Sequence, residues 1–273
     1  MLLTLLGSAA AEGWPALYCT CDYCSEALRR GQKDIRRRTS YRLGDRIQID
    51  FGPDTYGACL AFGLDTSTLT DLIVTHNHSD HFTPHELFYR RPGFSAVAED
   101  SMLSVHGPEG VGEALSEHLG DLETYRLQFR QMELYTPREL ADGVVAVALP
   151  AAHAKDIGGS YNYLFTIGSR QLLLAHDTGW WEDEVWGYLA SRGIDMAIFD
   201  CTYGARQERR GHLGAPDVVQ MRDTLRESGA LAPDCRAIAN HFSHNGYWLH
   251  SDLEEFFGPQ GIEVGYDGMQ VEI

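Results

Sequence analysis

The chain has 273 residues, 44% of them hydrophobic and 22% charged, the ordinary composition of a soluble globular protein. Its formal net charge of −17 argues against a long polyanion as partner, because affinity for a phosphate backbone comes from Lys and Arg neutralising charge. Six cysteines, three clustered and three scattered, do not form a secreted disulfide framework, so a reducing cytoplasm is expected.

Residues 1–10 look superficially like a secretory leader, but they lack a basic start and the apolar run is short. A first core strand over Leu2–Leu6 is the expectation, and no stretch is long and apolar enough to span a membrane. Next comes Cys19-Thr20-Cys21-Asp22-Tyr23-Cys24. This spacing suits a structural zinc but supplies three thiolates, and a closed tetrahedral site needs a fourth ligand from Cys59, Cys201, Cys235 or a histidine. The basic residues Arg29, Arg30, Lys33 and Arg36-Arg37-Arg38 read as a solvated face.

Further strands are expected over Arg46–Asp50, Leu72–Thr75, Val144–Leu149, Tyr161–Ile167, Gln171–Ala175, Met196–Phe199 and Ala237–Ala239. Tyr161, Asn162 and Tyr163 alternate as on a half-buried strand. Helices are expected from Pro108-Glu109 toward Leu119, and from Pro216-Asp217 through Leu225 to a stop at Gly229. Ser251 and Glu254 have capping-box spacing ahead of a third. No linker or repeat divides the chain, so residues 1–273 are read as one domain. Short strands alternating with outer helices predict two sheets packed face to face and covered by helices.

The chemistry concentrates at strand ends. His76, His78, Asp80 and His81 fall within six residues directly after the Leu72–Thr75 strand. Imidazole and carboxylate suit zinc, manganese or iron, and two ions need more ligands than this run contains. His153, Asp177 and His241 each follow another apolar strand, in the loops where a rigid scaffold presents functional groups. His85, His106, His118, His176 and His250 read as structural or exposed, and Trp180, Trp181 and Trp186 as core or wall packing.

With these residues in place, the chain resembles the metallo-β-lactamase superfamily. The resemblance implies an α/β fold, an αββα sandwich, with a two-metal site between the sheets. One metal would take His76, His78 and His153, the other Asp80, His81 and His241, with Asp177 bridging them. Two such ions polarise a phosphoryl or acyl oxygen and hold a bridging hydroxide as nucleophile. His212, in Arg210-Gly211-His212-Leu213-Gly214, matches the substrate-facing histidine of the phosphodiesterase branch, where it would bind a phosphoryl oxygen or protonate the leaving group. Asp80 and His212 are therefore the candidate catalytic residues, Asp80 doubling as a ligand. The Cys-x-Cys-x-x-Cys run resembles that of PhnP-type cyclic phosphodiesterases, which implies His244, three residues beyond His241, as fourth ligand to a structural zinc on Cys19, Cys21 and Cys24. The segment before the cysteines is also similar to PqqB.

The resulting expectation is a two-metal hydrolase with one additional structural zinc. Its substrate would be a small phosphate ester, cyclic esters included, with no nucleic-acid polymer or membrane as partner; a homodimer is compatible with this reading. A PqqB-like iron-dependent oxidoreductase and a carboxyl-ester, thioester or lactone hydrolase are the alternatives.

Overall fold

In the computed structural model, which describes residues 1–154 and 157–273, the strands pair into two seven-stranded sheets. The first contains β1 (Leu2–Gly7), β2 (Ser40–Leu43), β3 (Ile47–Ile49), β4 (Asp71–Ile73), β5 (Leu103–Gly107) and β6 (Leu127–Gln131). The second contains β7 (Pro137–Glu139), β8 (Val145–Pro150), β9 (Tyr161–Ile167), β10 (Arg170–Ala175), β11 (Ile194–Asp200), β12 (Leu231–Asn240) and β13 (Ile262–Val264). The last strand, β14 (Gln270–Glu272), returns to the first sheet and pairs with β1. The spatial orders are β14-β1-β2-β3-β4-β5-β6 and β13-β12-β11-β10-β9-β8-β7.

Each sheet is built the same way. In the first, β14/β1, β1/β2 and β2/β3 are antiparallel, then β3/β4, β4/β5 and β5/β6 are parallel. In the second, β7/β8, β8/β9 and β9/β10 are antiparallel, then β10/β11, β11/β12 and β12/β13 are parallel. Parallel neighbours release their following loops at one edge of a sheet, which is how residues far apart in sequence reach one site.

Strand alternation decides the layers. Leu5, Tyr41, Leu43, Ile49 and Ile73 face Ala148, Tyr163, Phe165, Leu174 and Ile198 across the inter-sheet core, all fully or almost fully buried. The opposite face of the first sheet, through Leu72, Val74 and Val105, packs on α3 (Pro84–Leu87) and α4 (Glu109–Leu119). The opposite face of the second, through Leu173, Ala197 and Phe199, packs on α6 (Ala215–Glu227) and α7 (His250–Phe257). The remaining helices are α1 (Asp22–Arg30), α2 (Thr55–Ala61) and α5 (Asp183–Leu189). The αββα layering is thus the observed architecture, and no helix among the described residues is long and apolar enough to cross a membrane.

Three local expectations change. Arg29, Arg30 and Lys33 are solvated and pair with Glu26 or Glu254, but Arg36 is 3% exposed and donates to Ser8, the Gly265 carbonyl and His250, so it is part of the interior. Tyr163 and Asn162 are both buried, because this strand lies between a covering helical layer and the inter-sheet core. The capping box on Ser251 and Glu254 does not form: α7 starts one residue before Ser251, Leu249 is the N-cap, and its N–H donates to the Asp252 carboxylate at 3.0 Å.

Candidate metal centre and its neighbouring cysteine cluster

The loop after β4 brings His76, His78, Asp80 and His81 together, with His76 and His81 fully buried. The β3–α2 loop lies directly beneath it, where a Cβ on Gly52 would sit 1.8 Å from the Asp80 carbonyl oxygen; only glycine permits that approach. His153 enters from the loop after β8, Asp177 from the loop after β10 and His241 from the end of β12. The structure gathers His76, His78 and His153 into one group and Asp80, His81, Asp177 and His241 into another, with the candidate ligand atoms of each group within 4.8 Å of one another.

Asp177 stands between the two groups. Its Oδ2 lies 2.6 Å from His81 Nε2, 3.4 Å from His241 Nε2 and 3.5 Å from His76 Nε2, while Oδ1 lies 3.9 Å from His153 Nε2. Asp177 and His241 both take left-handed backbone conformations, φ 51° and 60°, as does Asp50 at the end of β3, φ 56°. Such conformations cost about 1 kcal/mol or more for a non-glycine residue, and they recur at sites where a side chain must be aimed.

The donor set fits metal ions. His81 Nε2 and His241 Nε2 are buried with no hydrogen-bond partner, although both approach Asp177. His76 Nε2 and His78 Nδ1 face each other at 2.9 Å, and His153 Nε2 lies 3.4 Å from the same His78 nitrogen. Buried nitrogens left without a partner, as His81 Nε2 and His241 Nε2 are, are costly unless a cation takes their lone pairs. Burial holds His76 well below the usual imidazole range, so it presents a lone pair. Burial opposes ionisation of Asp177 too, but His241 and His81 outweigh it and hold the carboxyl well below its usual range.

Several partners that orient this centre are not evident as ligands in the sequence. Asp50, fully buried, accepts from His81 Nδ1 at 2.7 Å and His176 Nε2 at 3.1 Å through Oδ2, and from the Thr75 N–H and hydroxyl at 2.8 and 3.0 Å through Oδ1. Burial raises its pKa, but the adjoining His81 and His176 more than reverse this and keep it an anion. A carboxylate on the far nitrogen of a liganding histidine fixes ring orientation and raises ligand basicity. Asp200, at the end of β11, is equally buried and lies 3.0 Å from His212 Nδ1, and Thr202 Oγ1 lies 2.8 Å from His241 Nδ1. Both aspartates end apolar strands, as Asp177 nearly does; that placement is the signal that could have found them. His153 Nδ1 is 3.2 Å from the Gly211 carbonyl, which ties the His212 loop to the centre.

His212 lies beside the ligand cluster. Its Nδ1 is 3.2 Å from Asp177 Oδ1 as well as 3.0 Å from Asp200, and its side chain is 21% exposed. Burial lowers its proton affinity, but the two carboxylates outweigh that and raise it to about 9. Its hydrogen bonds among the described residues are all made through Nδ1, so Nε2 is free for a substrate.

The cysteine cluster also assembles. Cys19, Cys21 and Cys24 meet His244, with Cys19 Sγ and Cys21 Sγ 3.7 and 3.5 Å from His244 Nδ1. Cys21 is the N-cap of α1. Burial would raise its thiol, but the Cys24 N–H and His244 outweigh this and lower it to about 6, whereas burial raises Cys24 to about 12. Cys59 and Cys201 are buried elsewhere, and Cys235 is outside the cluster. His244 follows β12 by four residues, so this cluster and His241 share one loop.

Two sheets in αββα layers with this histidine–aspartate centre are the metallo-β-lactamase fold. Residues 45–238 match the profile of the beta-lactamase superfamily domain, and the chain belongs to that family. Among solved structures it is similar to a diphosphatase of the PhnP family, 23% identical, TM-score 0.76, over 100% of this chain and 97% of that one. It is also similar to zinc-bound PqqB from Methylobacterium extorquens, 16% identical, TM-score 0.78, over 100% of both chains. The short form of human tRNase Z is 18% identical, with TM-score 0.67, over 100% of this chain and 99% of that one. These likenesses are of fold. No curated protein matches the chain by sequence.

Proposed function

We propose that residues 1–273 act as one two-metal phosphodiesterase on a small phosphate diester, cyclic diesters included, in the cytoplasm, as a monomer or homodimer. His76, His78 and His153 would hold one ion, Asp80, His81 and His241 the other, and Asp177 both. Zinc, manganese and iron are all accepted by such a histidine–aspartate set, and availability decides among them. When bound, the pair supplies Lewis-acid charge and activates water. Cys19, Cys21, Cys24 and His244 would hold a separate structural zinc.

The observation that carries the choice of phosphoryl chemistry is His212. Asp200 holds its Nδ1 at 3.0 Å and, with Asp177, raises the ring's proton affinity, which suits it to carry a proton on Nε2. A cationic imidazole whose Nε2 is free beside the cluster can bind an anionic phosphoryl oxygen and then give its proton to a departing alkoxide. Asp200 would stay ionised throughout and orient the ring. Similarity in fold to a PhnP-family diphosphatase and to tRNase Z supports the same reading.

The test is elemental analysis of freshly purified protein beside turnover of bis(p-nitrophenyl) phosphate and a 2′,3′-cyclic nucleotide. Three metal ions per chain with hydrolysis of either ester is expected. Full metal loading with no hydrolysis of any phosphodiester, or turnover that requires iron and dioxygen, would overturn the reading.

A further inference from the structure

Two adjoining cavities open on the outer face of the first sheet, and none of the candidate metal ligands lines them. The larger, about 830 Å³, has a floor of Phe51, Leu69, Leu72, Leu87 and Leu103. Its volume lies within the roughly 300–1,000 Å³ usual for small-molecule sites. The smaller, about 420 Å³, is walled by Arg90, Arg126 and the 92–97 segment, and shares Arg90, Ser95, Ala96 and Val97 with the first. Phe94 of this segment packs edge-to-face with Phe88 and Tyr89, with ring centroids 5.2 and 5.7 Å apart.

Among the described residues neither arginine has a counter-ion. Arg90 donates to the Tyr125 carbonyl at 3.2 Å and the Ser101 carbonyl at 3.1 Å, and Arg126 to the Ala98 carbonyl at 2.7 Å. Among the described residues every acceptor of either guanidinium is a backbone carbonyl. Glu86 lines the larger cavity but pairs with neither. Carbonyl partners satisfy the N–H groups but leave the charge uncompensated, in a chain that carries 39 acidic against 22 basic side chains. Burial and the neighbouring Arg126 both lower the proton affinity of Arg90, and an anion placed between the two would relieve that repulsion. Tyr89 and Phe94, both more than half exposed, stand at the entrance as an apolar rim.

We propose that this pair of cavities binds an amphipathic anion, with its carboxylate or phosphate between Arg90 and Arg126 and its hydrocarbon portion on the Phe51–Leu69–Leu72–Leu87–Leu103 floor. The site is independent of the phosphodiesterase reading. It is tested by calorimetric titration of the full chain with decanoate, decyl phosphate and decan-1-ol. At least one of the two anions should bind at one site per chain, at least tenfold tighter than the alcohol, and the tighter anion identifies the headgroup. Arg126→Gln and Arg90→Met should each weaken the anion by tenfold or more, the loss of one charge-assisted hydrogen bond. Val97→Trp, which fills the shared wall, should abolish binding while circular dichroism and the melting temperature stay as in the parent. Binding of the alcohol as tight as that of the anions, no binding of any of the three, or unchanged anion affinity in both folded arginine variants would overturn the proposal.

Discussion

Replacing Asp50 by Asn tests how far the metal centre depends on a residue that would touch no metal. The two carboxylate oxygens divide most of their partners: Oδ1 accepts from the Thr75 N–H and hydroxyl, and Oδ2 from His81 Nδ1 and His176 Nε2, with the Thr75 hydroxyl also 3.1 Å from Oδ2. In Asp50→Asn the amide oxygen can serve one pair, so an NH₂ group must face donors on the other. If Thr75 keeps its acceptor, two charge-assisted bonds are lost, each worth about 1.5–3 kcal/mol, or about 3–6 kcal/mol together. Breaking a buried ion pair from one side gives a similar figure, about 3–5 kcal/mol. At about 2–4 °C per kcal/mol for a chain of this size, Tm should fall by roughly 6–24 °C in scanning calorimetry of the metal-free protein. With its orienting carboxylate gone, His81 should also hold metal about 10–100-fold more weakly, read by competition with a chromophoric chelator. A variant that melts within about 2 °C of the parent and keeps its metal affinity would refute the assignment of Asp50 as the group that orients His81.

Other substitutions separate the remaining roles. His212→Ala should lower phosphodiester turnover by about 10²–10⁴-fold while elemental analysis finds the metals retained; unchanged turnover would favour acyl over phosphoryl chemistry. Cys21→Ser should remove one zinc per chain and leave the other two ions, and a full complement of three in the variant would count against the cysteine cluster as a metal site. Burial and the adjoining Arg36 lower His250 to about 4, so the folded protein keeps it neutral while the unfolded chain takes up a proton near 6.5. Its contribution is therefore present above pH 6.5 and is lost as the pH falls toward 4, by about 3 kcal/mol at most. Urea unfolding of the parent and of His250→Gln at pH 7.5 and 4.5 should show the parent losing more stability; equal losses would rule out this histidine as a source of acid sensitivity.

The sequence made the candidate ligands, which the fold brings together, legible because each follows an apolar strand and because four of them sit within six residues. It also made several strands of the inter-sheet core legible, since Leu72–Thr75 and Gln171–Ala175 are runs of apolar residues. β2 was hidden by Arg42, a buried arginine whose charge is held by Gln48 and by the carbonyls of Asp45 and Asp65. β7 and β14 were hidden because they are three-residue edge strands with exposed positions. Arg36 misled for a related reason: a run of three arginines reads as solvated, but the tertiary fold offers its guanidinium a buried carbonyl, hydroxyl and imidazole. Asp50 and Asp200 escaped notice because supporting a ligand leaves no spacing pattern; their roles depend on which strands become neighbours.

The repeated order of three antiparallel and three parallel pairings has a consequence for how the centre comes into being. Asp50 follows the first parallel strand of one sheet and Asp177 follows the first parallel strand of the other, so the two aspartates occupy matching stations in two like halves. One half contributes His76, His78, Asp80 and His81, the other His153, Asp177 and His241. Neither half alone carries the candidate ligands of either ion, and each ion would span the seam between them. Loading with metal would therefore clasp the halves together, and resistance of the seam to opening should rise with metal occupancy.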